Sequence, residues 1–125
     1  MEEKRKINYF TDLDAWKEGH KLVLQIYKTT KRFPTDERYA LADQMKRAAV
    51  SITSNIAEGF SRNSWKEKVQ FYSTAMGSLT EVENQLLVSR DVGYISSKEF
   101  NEAAPQCVRV SKILGGLIKK AKSLC

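Results

Sequence analysis

The sequence predicts an all-α fold, an antiparallel up-down-up-down four-helix bundle in a single domain over residues 1–125. Three observations predict it. Apolar residues recur at three- and four-residue spacing through four long segments. Start and stop signals (Ser-x-x-Glu, Gly, Pro) fall between those segments. The 125 residues include 6 glycines and 2 prolines, few for a β-rich chain.

The first helix is expected over residues 12–33, opening at Thr11 or Asp12, both good N-caps, and closing before Pro34. The second, 36–59, has Asp36 and Glu37 in its first turn, where acids suit the helix dipole, and Gly59 as its stop. The third, 65–91, opens on a Ser64/Glu67 capping box and ends before Gly93. The fourth, 97–123, opens on a second box, Ser96/Glu99, and contains Pro105, which is expected to kink it or delay its regular start. Each helix is roughly 30–40 Å long at 1.5 Å per residue. The connections are short, so consecutive helices should be antiparallel neighbours.

The stripes agree with this order. The second helix offers Met45, Ala49, Ile52, Ile56 and Phe60; the third Val69, Tyr72, Met76, Leu79 and Leu86; the fourth Phe100, Cys107, Leu114, Leu117, Ala121 and Leu124. The first helix carries more apolar surface than one core needs. Leu13, Trp16, Val23 and Tyr27 share one face, and Ala15, Leu22, Ile26 and Phe33 an adjoining arc, together roughly 200° against the ~100° usual for one core. The second arc is expected to form a subunit interface in preference to lying under loops.

The stretch RAAVSITSNIAEGFSRNS, residues 47–64, sets polar residues beside its isoleucines. If the second and third helices turn near Arg62, Ser51 lies level with Thr74 and Glu58 with Glu67, and Arg47 comes within a turn of Glu81. Arg47, Ser51, Asn55, Glu58, Glu67 and Glu81 then make a polar seam, with Ala48, Ala49, Ala75 and Gly77 allowing close approach. Such a seam fixes register or holds a metal. The di-metal arrangement needs Glu-x-x-His on two helices, and this chain has one histidine, His20, with Glu18 at the wrong spacing. The seam is therefore read as structural, with no metal, no cofactor and no catalytic residues. No Gly-rich phosphate loop, nucleophile elbow or Cys-His pair appears, so an enzyme is not expected.

No apolar run approaches the ~18 residues of a membrane span, and MEEKRKINYF lacks a following apolar signal segment. Cys107 and Cys125 have neither disulfide-framework nor zinc spacing. The expectation is a cytoplasmic protein that does not enter a membrane. The formal charge is +6 and the pI about 9.4, a balance that serves solubility alone or suits nucleic acid or an acidic partner.

DLDAWKEGHKLVLQIYKTTKRFP, then RAAVSITSNIAEGFSRNSWKE, then FYSTAMGSLTEVENQL resembles the four-helix-bundle proteins encoded in intervening sequences of bacterial 23S rRNA genes, often labelled S23 ribosomal protein. The same group includes the accessory variability determinant of diversity-generating retroelements. The match runs from Asp12 to about Ile118, and Pro105 departs from it. The resemblance implies a closed homo-oligomer, a pentameric ring, and its retroelement members imply RNA or DNA and a reverse transcriptase as partners.

One pole of such a bundle collects the N-terminus, the turn between the second and third helices, and the C-terminus. There lie Lys4, Arg5 and Lys6; Arg62, Lys66 and Lys68; and Lys119, Lys120 and Lys122. Lysines ending a helix suit its dipole, but the other two clusters have no such reason. These nine are the candidate nucleic-acid contacts; Trp65 is expected first to pack against the bundle end, and is the base-stacking candidate at this pole. The expected function is a non-catalytic oligomeric adaptor binding RNA through its basic surface; the alternative is a scaffold for an acidic protein partner.

Overall fold

The computed structural model describes residues 6–125, and for residues 37–39 the backbone alone. Four helices carry the fold: α1 Asp14–Thr30, α2 Asp43–Ser61, α3 Trp65–Asp91 and α4 Ser97–Ser123. Among the described residues there is no strand. Each helix packs on its neighbour in sequence, and α4 returns to α1, which closes a four-helix bundle.

The helix ends follow from local chemistry. Ser64 Oγ accepts the Glu67 N–H at 3.1 Å and starts α3. Ser96 and Glu99 make the reciprocal capping box of α4: the Glu99 N–H donates to Ser96 Oγ and the Ser96 N–H to the Glu99 carboxylate. Gly93, at φ 84°, ends α3, with its N–H on the Arg90 carbonyl and the Tyr94 N–H on the Ser89 carbonyl. This is the paired closure in which a left-handed residue favours glycine. Pro105 lies inside α4, which runs through it as one helix.

The chain between α1 and α2 departs from expectation. α1 stops at Thr30, and a 3-10 turn (Thr35–Glu37) and a π turn (Arg38–Ala42) precede the regular helix at Asp43. Gly59 is not a helix stop either. α2 continues to Ser61, and Gly59 is buried where Tyr72 of α3 crosses; a Cβ there would sit 2.7 Å from Tyr72 Cε1. Gly77, expected at the close approach, has nothing within 4 Å of its would-be Cβ.

The core is built from Leu22, Ile26, Met45, Ile52, Ile56, Tyr72, Leu79, Val82, Leu86, Cys107, Val110 and Leu114. The expected stripes supply most of it; Leu124 is the exception, lying exposed at the end of the chain. The proposed interface residues need correction. Ala15, Leu22, Ile26 and Phe33 are 0–3 % exposed within one chain, so they are core residues and present no surface to a second subunit. Phe33 lies against Tyr94, with ring centroids 5.4 Å apart. The wide arc is absorbed because α2 and α4 cover α1 from two sides. What remains outside on α1 is Leu24, 58 % exposed, and Tyr27.

Candidate nucleic-acid interface

The basic pole divides into engaged and free cations. Arg62 donates to the Glu58 carboxylate at 3.0 Å and lies over the Phe71 ring at 4.5 Å. Lys68 reaches back from α3 and donates to the Phe60 and Gly59 carbonyls at 2.6 and 3.3 Å. It thereby caps the exposed carbonyls ending α2. It also sits near the Phe60 and Trp65 rings, and its half-burial lowers its pKa from the ordinary lysine range. These two candidates stabilise the turn and are not free phosphate contacts.

Lys66, Lys119, Lys120 and Lys122 are exposed, and none of them makes an ion pair among the described residues. Lys6 is also exposed; Lys4 and Arg5 lie outside the described residues. Lys120 and Lys122 occupy the last turn of α4, where cations suit the dipole. Lys66 is the second residue of α3, at the end where a cation opposes the dipole. Its placement therefore has no explanation in helix stability. The nearby acids are partly engaged: Glu58 holds Arg62, and the Asp12 carboxylate accepts the N–H groups of Asn8 and Tyr9. Trp65 is partly exposed at the same end. A cleft of about 310 Å³ between the start of α1 and the end of α4 is lined by Ile7, Leu13, Ile113 and Leu117 with Asp12, Asp14 and Lys120.

The polar seam exists in part, in a different register. Ser51 Oγ meets Ser78 Oγ at 2.8 Å, one turn beyond the expected Thr74. Asn55 Nδ2 donates to the Ser51 carbonyl and hydroxyl at 2.8 and 3.1 Å. A short relay, Asn55 to Ser51 to Ser78, thus bridges α2 and α3. The Arg47–Glu81 pair is not formed: both side chains are exposed and no contact joins them. Glu58 and Glu67 likewise do not face each other; Glu58 turns to Arg62, and Glu67 sits in the first turn of α3. The one-turn offset moves Glu58 away from Glu67; Arg47 and Glu81 come to nearly the same height, but both side chains point to solvent and stay apart. His20 stacks on Trp16 at 4.7 Å, at the edge of the core.

The most buried charge was not on the expected roll. Glu18, 8 % exposed, lies between α1 and α4 and accepts from Lys21 Nζ at 2.9 Å and Arg109 Nε at 2.9 Å. Gln106 Nε2 donates to the Glu18 carbonyl at 2.8 Å. The Lys21 hydrogen bond, aided by Gln106 and Arg109, holds the Glu18 carboxyl below the ordinary carboxylate range against the opposing effect of burial. A signal was present: Glu18 falls between Ala15 and Leu22 on an apolar face, as Asn55 does between its isoleucines.

The matching segment spans residues 11–116 and carries the polar relay, Gly59 and the Ser64 cap, and it fits the 23S rRNA-intervening sequence proteins as a family. The chain belongs to that family. A crystal structure from the S23 ribosomal protein family of Bacteroides thetaiotaomicron VPI-5482, a protein of unknown function, superimposes with a TM-score of 0.78 at 19% identity. The similarity covers 84% of this chain and 95% of that one, which establishes the shared fold. No curated protein matches the chain. Among the described residues, no helix is long and apolar enough to cross a membrane.

Proposed function

We propose that the protein is an oligomeric, non-catalytic adaptor that binds nucleic acid, RNA foremost, through phosphates at its basic pole. The observation that carries this reading is the set of exposed lysines there that make no ion pair among the described residues: Lys66 at the start of α3 and Lys119, Lys120 and Lys122 at the end of α4. Lysines offer point charges, so binding should depend little on base sequence.

Titrating RNA at two salt concentrations tests it. With a slope of about −0.7 per phosphate for single strands, four contacts give roughly a fiftyfold loss between 50 and 200 mM salt. Absence of RNA binding even at low salt would overturn the reading in favour of a scaffold for an acidic protein.

The oligomer rests on different residues from those the arc suggested. Leu24, Tyr27 and Val50 stay exposed on the α1/α2 side. On the α3/α4 side, Leu87 and Val108 flank a groove floored by Phe100 and Ala104. Two dissimilar apolar faces on opposite sides of one bundle suit head-to-tail association, which gives a ring when the rotation between subunits closes. Light scattering of the purified protein should give five chains; a monomer mass would refute the oligomer.

A further inference from the structure

A polar cleft of about 340 Å³ opens between the end of α1 and the start of α4, at the pole opposite Lys66 and Lys119. Lys28, Arg32 and Lys98 line it, and no side chain among the described residues pairs with any of the three. Lys28 and Arg32 suit the C-terminal end of α1. Lys98 does not suit its place: it is the second residue of α4, where a cation opposes the dipole.

The floor supplies an independent observation. Thr29 lines the cleft and is 8 % exposed, yet its hydroxyl has no hydrogen-bond partner among the described residues. The adjacent Thr30 satisfies its own hydroxyl on the Ile26 carbonyl at 2.8 Å. Thr29 Oγ1 keeps some solvent access, whereas Gln25 Oε1, on another residue lining the cleft, is sealed without a hydrogen-bond partner among the described residues. Two carboxylates share the walls. Glu99 is turned back onto Ser96 by the capping box, and Glu102 is exposed, its backbone carbonyl accepting from Gln25 Nε2 at 2.9 Å.

We infer that this cleft binds a single phosphate monoester. Lys28, Arg32 and Lys98 oppose its charge, the Thr29 hydroxyl donates to a phosphate oxygen, and the N-terminal turn of α4 adds its dipole. The cavity is at the small end of ligand sites, which suits one nucleotide-sized group and not a length of polymer. The site is separate from the basic pole and stands whether or not that pole binds RNA.

Calorimetric titration of the full chain with adenosine 5′-monophosphate at low salt tests it. Saturable binding, competed by inorganic phosphate, is expected. Thr29→Val should keep the parent's melting temperature and weaken binding about tenfold, and Lys98→Glu should abolish it. Lys66→Glu with Lys119→Glu should leave it intact, which separates this site from the basic pole. A short RNA bearing a 5′-phosphate that outcompetes its 5′-hydroxyl counterpart would assign the phosphate to a strand end; competition by neither would assign it to a free ester, and equal competition by the two would overturn the inference, because backbone diesters would then fill the site. No saturable binding, or parental affinity in Lys98→Glu, would overturn the inference.

Discussion

Two glycines of the helix hairpin should respond in opposite directions to the same substitution. Alanine favours a helix interior over glycine by about 1 kcal/mol, so each change begins with that gain. At Gly77 nothing lies within 4 Å of the new methyl, and the gain should survive. At Gly59 the methyl would meet Tyr72 Cε1 at 2.7 Å, Tyr72 Cδ1 at 2.9 Å and Phe71 Cβ at 3.0 Å. Tyr72 is buried, so its ring has little room to move aside. Overpacking costs about 1–3 kcal/mol, and two ring atoms inside contact distance place this case at the upper end. The net loss is about 1–2 kcal/mol, a drop of roughly 4–8 °C in melting temperature for a domain of this size. Gly77→Ala should melt up to about 4 °C above the parent. Thermal melts followed by circular dichroism would read both. Gly59→Ala melting at or above the parent would refute the close packing of α2 on α3.

Arg47→Ala should change stability by less than about 0.5 kcal/mol, because Arg47 is exposed and unpaired; a loss of several kcal/mol in a urea melt would restore the buried pair with Glu81. Glu18→Gln should lower stability by about 1 kcal/mol at pH 7, a modest figure because Lys21 and Arg109 are 65% and 66% exposed. The folded carboxyl titrates below the ordinary 4.5, so its contribution is full above that pH and is lost as pH falls through the lower folded-state value. Parent and variant melting temperatures should therefore converge in acid, and a gap that persists there would contradict the assignment. Cys107 is buried, and desolvation pushes its thiol up to about 12. A thiol reagent at pH 8 should modify the exposed Cys125 and spare Cys107; modification of both in the native protein would contradict this.

The parts of the fold with local chemical signals were legible in the sequence. α3 and α4 begin at the serines that cap them and α3 ends at the glycine with positive φ, so their bounds could be read directly. The corner between α1 and α2 could not. Asp36 and Glu37 look like a helix start, while the π turn at Arg38–Ala42 depends on how the whole segment packs. Register was hidden for a related reason. A short turn fixes which helices are neighbours, but small residues such as Ala48, Ala49 and Ala75 permit more than one offset, and the one adopted sets Ser51 on Ser78. Arc width likewise misassigned Ala15, Leu22, Ile26 and Phe33, since it does not tell how far neighbours cover a helix. At the basic pole, charge could be counted from sequence, but the loss of Lys68 to the α2 carbonyls is a tertiary contact without a sequence signature.

The most direct test of the proposed function is the RNA affinity of the Lys66→Glu, Lys119→Glu double variant against the parent, measured across a salt series on protein whose oligomeric mass is unchanged. Both side chains are exposed and make no ion pair among the described residues, so the fold should be unaffected. Losing two phosphate contacts should weaken binding at low salt at least tenfold and flatten the slope of log K against log salt by about 1.4. Parental affinity at every salt concentration would contradict the account and place the binding surface elsewhere.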